Sequence, residues 1–554
     1  MSRENVRLVF AIVLSFAIFI LFDAFFIKKE PLKQSSESGE TTLDTSKPAA
    51  TSVAETTQAD VPSAEAIQDA LNDGEMSSDR EITVENQFYI VKFSEKSGSI
   101  KSLALKQYKE NISKDAPLKE LIAAENVFET VLSEFSRGTE GRFEQPLFIA
   151  NSAESMQIND GGKSLVFTSN SFRGLVFEKK FTFQADKYPI GLEIIIKNIS
   201  NATVNGELAI SLARSYLATS QYGFEGPSGW INQKLEQVEI KEIKETGEIS
   251  GDIQWIGLED RYFISSIISK TPVPSTMKME KTRHDVVYNR LVQTVGEIPV
   301  GGHHNYEYLV FMGPKSTKLL SEVGYNLKNA INFGWFDIIA KPCLWLMNWL
   351  YGFIPNYGVA IIFLTLITKV LLWPLGTKSY RSMNDMKRLQ PLMAEIREKY
   401  KNDRPRMNQE IMQLYRTYKV NPVGGCLPML FQIPVFFALY RMLYSAIELR
   451  HAPFFGWITD LSAPDRLFDF GFTVPLMEPP YGIPVLTIVM GATMFIQQKM
   501  SPAPGDPAQA KMMMLMPIVF TFIFINFSSG LVLYWLVNNV LSIAQQYYIS
   551  KKFA

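Results

Sequence analysis

Cysteine is nearly missing from this chain, with two in 554 residues, and histidine is almost as scarce, with four. His303 and His304 adjoin, but neighbours on a strand point to opposite faces, so they read as a loop pair and not as metal ligands. An excess of either charge is also lacking: 55 Lys/Arg against 56 Asp/Glu leaves a net charge of −1. A dedicated nucleic-acid binder normally carries a basic surplus. The motifs of nucleotide and hydrolase chemistry are missing too. Gly162-Lys163-Ser164 looks like the end of a phosphate loop, yet Gln157 stands where the first glycine is required. No G-x-S-x-G or H-E-x-x-H is present.

Charge is absent locally as well, and this absence is informative. Residues 8–27 hold only Asp23, and 342–368, 420–440, 481–498 and 512–550 hold no charge at all. A bilayer core of about 30 Å takes about 20 apolar helical residues. The last run has twice that length and is broken at Ser528-Ser529-Gly530, so it reads as a tight hairpin of two spans. Six spans are expected: 8–27, 357–376, 424–444, 482–498, 512–527 and 530–549. Residues 332–351, with Trp335, Trp345 and Trp349, read as an interfacial helix. The first span lacks a small-residue cleavage site before Lys28, Lys29 and Glu30, and is expected to stay as an anchor over 1–29.

Loop charge sets the orientation. Loop 377–423 carries eleven Lys/Arg and five acids, whereas 445–481 carries Arg450 and Arg466 against five acids. The first is expected inside and the second outside, with both termini cytoplasmic. Cys343 and Cys426 then fall on opposite sides of the bilayer, beyond the roughly 7 Å Cα separation of a disulfide.

The region between the first two spans lies outside. Residues 31–80 contain no Phe, Trp or Tyr and hold ten acids, so 30–81 is expected to be a disordered linker. From about residue 82 the period changes. Residues 86–93, 175–183, 190–197, 207–212 and 306–311 are β-branched and aromatic, with turns between them, which predicts a sandwich of antiparallel sheets over 82–325. Gly223–Trp230 reads as a Gly-rich turn.

Lys369 stands inside the second span, in FLTLITKVLLWP. A cation at the bilayer centre costs about 2.5–3.5 kcal/mol on insertion scales. Two readings stay open: a functional charge in a wet cavity, or a lysine snorkelling toward the cytoplasmic edge roughly 13 Å away. Thr365 lies one turn before it. Gln432, Thr493, Gln497, Asn526, Asn538, Asn539, Ser542 and Gln545 add polar groups to the other spans, and no carboxylate in those spans is available to pair with the lysine. Such a surface suits the passage of negative or polar peptide groups. Loop 377–423 reads as a helical hairpin striped by Met383, Met386, Leu389, Met393, Ile396 and Tyr400, then by Met407, Ile411, Leu414 and Tyr418. Its basic outer faces, with Arg381, Lys387, Arg388, Arg404 and Arg406, suit anionic lipid or a ribosome. Sixteen of the 22 Met lie past residue 325, as in surfaces that adapt to varied apolar partners.

Asn421-Pro422-Val423-Gly424-Gly425-Cys426-Leu427-Pro428, continuing to Gln432 and Pro434, resembles the signature of the YidC membrane-protein insertases. So do Glu448-Leu449-Arg450, Trp457–Ser462, Gln498–Pro502 and Ser529–Trp535. The resemblance covers the whole chain and is most specific from residue 332. It implies a multi-domain membrane protein: a periplasmic β-supersandwich plus an α-helical bundle of five spans over 326–554, preceded by the N-terminal anchor, six transmembrane helices in all. It further implies insertion of nascent membrane proteins into the bacterial inner membrane, alone or with the Sec translocon, by a functional monomer in contact with membrane lipids, without cofactor, metal, catalysis or ATP hydrolysis. A hydrophilic groove would receive the polar segment of a substrate. The family's groove cation falls on Lys369, where many relatives carry Arg, so the charge remains while the planar five-donor fork is lost. Substrate-contact positions fall on Thr365, Tyr534 and Trp535, and Gln432, Asn526 and Asn538 are expected in the same groove. Only Ser550–Ala554 follow the last span, so any ribosome contact is expected through the hairpin.

Two other classes compete. A secondary transporter with a periplasmic sugar-binding domain predicts an internal repeat and a midplane carboxylate, and neither is seen. A tethered sugar-acting enzyme needs an acid–base pair that the outer region does not show.

Overall fold

The computed structural model describes residues 80–552, except 124–127, 139–141, 152–154, 217–222, 272, 284, 421–426 and 502–506. The expected anchor 1–29 and linker 30–81, except Arg80 and Glu81, lie outside the described residues, as do His284 and Cys426.

The first part is β-rich. One sheet has five strands, and a second, larger sheet has thirteen. Alternation of apolar and polar side chains creates their buried faces. In Leu175–Gln184 every odd position is buried. That strand pairs antiparallel with Ile190–Asn198, which pairs in turn with His303–Pro314. Phe93 of the smaller sheet meets Phe181 of the larger one at 4.8 Å between ring centroids. The two sheets thus share one core. Gly162-Lys163-Ser164 begins a strand, and Lys163 Nζ donates to Gln157 O at 2.9 Å. The Gly-rich turn expected at 223–230 is largely strand, Gly226–Ile231.

The second part is helical. Its helices are α1 (Asp337–Phe353), α2 (Tyr357–Leu371), α3 (Trp373–Lys399), α4 (Arg404–Thr417), α5 (Leu427–Ser445), α6 (Val485–Met500), α7 (Pro507–Phe524) and α8 (Ser529–Lys552). α1 starts later than the expected 332, because Asn332 and Gly334 form a turn: Asn332 Oδ1 accepts from Gly334 N at 2.8 Å and Gly334 has φ of 66°. It buries Cys343, Leu344 and Met347 and leaves Trp345 and Trp349 exposed.

α2 ends at Leu371 and not at 376. Pro374 has no N–H to continue the ladder, and it sits instead in the first turn of α3, the position it tolerates best. α2 and α3 bend by 65° at this break, and together they are long and apolar enough to cross a membrane. No single helix among the described residues is. The break between α7 and α8 is docked, not free: Ser529 N donates to Ala463 O at 2.7 Å and Gly530 N to Leu461 O at 2.9 Å. α3 continues through Pro391 and packs on α4 through buried Leu389 and Met393, with Tyr415 Oη 3.5 Å from Met393 Sδ. Asp403 caps α4 by accepting from Arg406 N at 3.1 Å.

Specific contacts join the β-rich part to the helices. Arg261 Nε donates to Tyr444 O at 2.7 Å and its guanidinium lies 3.6 Å from the centroid of the Tyr444 ring. Arg450 Nη2 donates to Lys109 O at 2.6 Å. Glu448, between these arginines in sequence, accepts from Asn348 of α1 at 3.3 Å, and burial pushes its carboxyl above the usual range.

Candidate substrate groove

Helical spacing on α8 puts Asn538, Ser542 and Gln545 on one face, at i, i+4 and i+7. Lys369, in the last turn of α2, points at that face. Its Nζ lies 2.6 Å from Ser542 Oγ and 3.5 Å from Asn538 Oδ1. Ser542 Oγ in turn donates to Asn538 O at 2.7 Å, which leaves its lone pairs free for the ammonium. Gln432 of α5 donates to Asn538 Oδ1 at 3.2 Å. One amide oxygen therefore receives donors from two other helices. Gln545 donates to Trp373 O at 3.2 Å and so holds the backbone where α2 breaks into α3. Between the two sequence readings of Lys369, the geometry favours the inward one: the side chain turns to α8 and not along its own helix to the edge.

Along α5 and α8, toward the β-rich domain, the wall changes character. Trp535 packs edge-on against Phe436 at 4.5 Å and Phe524 at 4.7 Å, and Tyr440 stacks on Phe527 at 5.9 Å. Phe436 and Tyr440 follow Gln432 at four-residue steps along α5, so one helix face runs from amide to aromatic. The result is a polar layer at Lys369 beneath an aromatic layer. Such packed rings fill space between the helices.

The predicted residues do not all gather. Lys369, Gln432 and Asn538 come together. Thr365 is buried and its Oγ1 donates back to Ile361 O at 2.6 Å. Tyr534 is buried in the bundle core, and Trp535 belongs to the aromatic layer. Asn526 lies elsewhere: just past the end of α7, it accepts from Glu478 N at 2.9 Å and donates to Leu476 O at 3.0 Å. It fastens the loop between α5 and α6 and does not reach the lysine. Ser542, counted above only among the polar groups of the last span, is the nearest partner of the cation. On the hairpin, Arg381, Lys387, Arg388 and Arg406 are exposed, and Arg406 lies 5.3 Å from the Tyr400 ring. The Arg404 side chain lies outside the described residues.

A bundle of mostly apolar helices with a cation on a polar interior face, joined to a large β-rich domain, is the architecture of a membrane protein with an extramembrane domain. Two family models divide the chain in the same way: one described as the YidC periplasmic domain matches residues 81–346, and one described as a 60Kd inner membrane protein matches 349–554. The membrane protein insertase YidC of Syntrophus aciditrophicus (strain SB) is 39% identical over 554 residues, covering 98% of both chains. That of Geobacter sp. (strain M21) is 41% identical over 481 residues, covering 85% of this chain and 86% of its own. A crystal structure of an active YidC insertase aligns at a TM-score of 0.38 and 20% identity, covering 85% of this chain and 93% of that one. On the sequence matches, this chain belongs to the YidC family of membrane protein insertases.

Proposed function

We propose that the chain inserts nascent membrane proteins into the inner membrane and helps them fold, with Lys369, Gln432 and Asn538 forming the face that receives the polar segment of the substrate. The observation that carries this reading is the Lys369 ammonium held 2.6 Å from Ser542 in the interior of the bundle. Binding energy does the work. A polar segment that reaches this face crosses less hydrocarbon, and the apolar span that follows gains free energy by sliding out to lipid. The fixed positive charge attracts acidic segments, and the aromatic layer at Trp535 closes the outer side.

The reading includes six spans with both termini cytoplasmic, and the division into anchor 1–29, linker 30–81, outer domain 82–325 and insertase domain 326–554. Cooperation with the Sec translocon, and ribosome contact through Arg381, Lys387, Arg388, Arg404 and Arg406, belong to it as well. No covalent step and no cofactor is needed. Photocrosslinking to stalled nascent chains tests it. A photoreactive residue at Gln432 or Asn538 is expected to capture the chain, and one at Asn526 is not. Capture at Asn526 with silence at Gln432 and Asn538 would move the path away from this face.

A further inference from the structure

The loop between α5 and α6 has a polar base and an apolar tip. At the base, Arg466 donates through Nε to Pro480 O at 2.9 Å, through Nη1 to Ile525 O at 2.8 Å, and through Nη2 to Asn526 Oδ1 at 3.3 Å. Asn526 holds the far side of the loop through Leu476 O and Glu478 N. Asp465, buried, accepts from Leu486 N at 2.7 Å and Thr487 Oγ1 at 3.0 Å, and so ties the loop to the start of α6. Residues 470–477 then carry no charge (FGFTVPLM). Leu476 is 86% exposed and Phe472 63%, and Phe470 stacks on Phe472 at 5.5 Å. A clamp of polar bonds, buried at Asp465, therefore presents an apolar tip. In water that tip is unfavourable by about 25 cal/mol for each Å² exposed, and exposed apolar patches mark contact sites.

We propose that this loop is a wedge whose tip, Phe470, Phe472 and Leu476, dips into the acyl chains of the outer leaflet beside α7. The C-terminal end of α5 touches the β-rich domain through Arg261 and Tyr444, so the loop that follows is on that side. The tip is fastened through Asn526 to the end of α7, whose last turns leave Ile518 and Phe522 exposed. The apolar surface of α7 thus continues into the tip, and lipid is the occupant that covers both. Rings and leucine at the interface suit a shallow depth. The wedge gives Asn526 a role outside the groove.

The inference rests on α5–α8 crossing the membrane, and the experiment separates the two. In a Cys343→Ala, Cys426→Ala background, single cysteines at Phe472, Leu476, Ile518 and Lys187 carry an environment-sensitive fluorophore. The full chain is reconstituted in phosphatidylethanolamine–phosphatidylglycerol vesicles containing lipids spin-labelled at shallow or deep acyl positions. Labels at 472 and 476 are expected to be quenched by the shallow probe at least about twofold more than the label at Lys187, and to be shielded from iodide. Iodide access equal to that at 187, with 518 quenched, overturns the wedge alone. Shielding from iodide without quenching by either lipid means that protein covers the tip, and overturns lipid as the occupant. Loss of quenching at 518 as well overturns the spans, and the wedge with them.

Discussion

The Lys369 ammonium and the Ser542 hydroxyl are 2.6 Å apart across two helices separated by 173 positions in the chain. Ser542 is oriented by its own bond to Asn538 O, so the lysine meets a lone pair and no carboxylate. The positive charge is held in place, and among the described residues no carboxylate pairs with it.

Lys369→Ala is expected to reduce insertion of substrates with acidic translocated tails on the order of tenfold, with a smaller effect on neutral tails. Lys369→Arg keeps the charge and is expected to retain most activity. Protease protection in proteoliposomes reads both. Equal insertion of acidic and neutral tails by Lys369→Ala and the unaltered chain would remove the charge from the mechanism.

Trp535→Ala empties the centre of the aromatic layer. Such changes cost about 3–5 kcal/mol at fully buried rings, and somewhat less at the partly buried Trp535. The expected result is a lower Tm in detergent, with Trp535→Phe much closer to the unaltered chain. A Tm unchanged by alanine would mean that the Phe436 and Phe524 contacts are not packed as described.

Lys179 is fully buried in the β-rich domain, with Nζ 3.3 Å from Val131 O, and burial lowers its pKa to about 7. The unfolded lysine titrates near 10.5. Below about pH 7 both states carry the proton, and the folded state bears the full penalty of the buried charge. Between pH 7 and 10.5 the unfolded state binds more protons, so this penalty fades as pH rises. Lys179→Met is therefore expected to stabilise the domain by more than about 1 kcal/mol at pH 6, and by less at pH 9. Denaturant unfolding at the two pH values measures the difference, and an equal gain at both would contradict it.

Arg261→Ala removes the donor to Tyr444 O and the cation over the Tyr444 ring. Loss of such a charged donor costs about 1–3 kcal/mol. The expected outcome is faster protease cleavage near the junction, with the cleavage pattern of the outer domain itself unchanged. An unchanged rate at the junction would show that the other contacts, Arg450 with Lys109 among them, suffice.

Much of the architecture was legible because it depends on local pattern. Strands at 175–184 and 190–198 follow from alternation, and the hairpin of α3 and α4 follows from apolar stripes at three and four residues. Helix ends were less legible. Pro374 stops α2 and starts α3, and the turn at Asn332 delays α1, each through one backbone group that hydropathy does not register.

By itself the sequence determined the order of strands and apolar helices, and the presence of one cation among apolar residues. These are properties of neighbouring residues, set by hydrophobic period and charge. Only the tertiary structure decided which polar groups meet. Lys369 finds Ser542 and Asn538, Asn526 is taken by an outer loop, and Thr365 turns back on its own helix. The direction of a side chain around a helix has meaning only relative to the helices packed against it, and those lie far away in the chain.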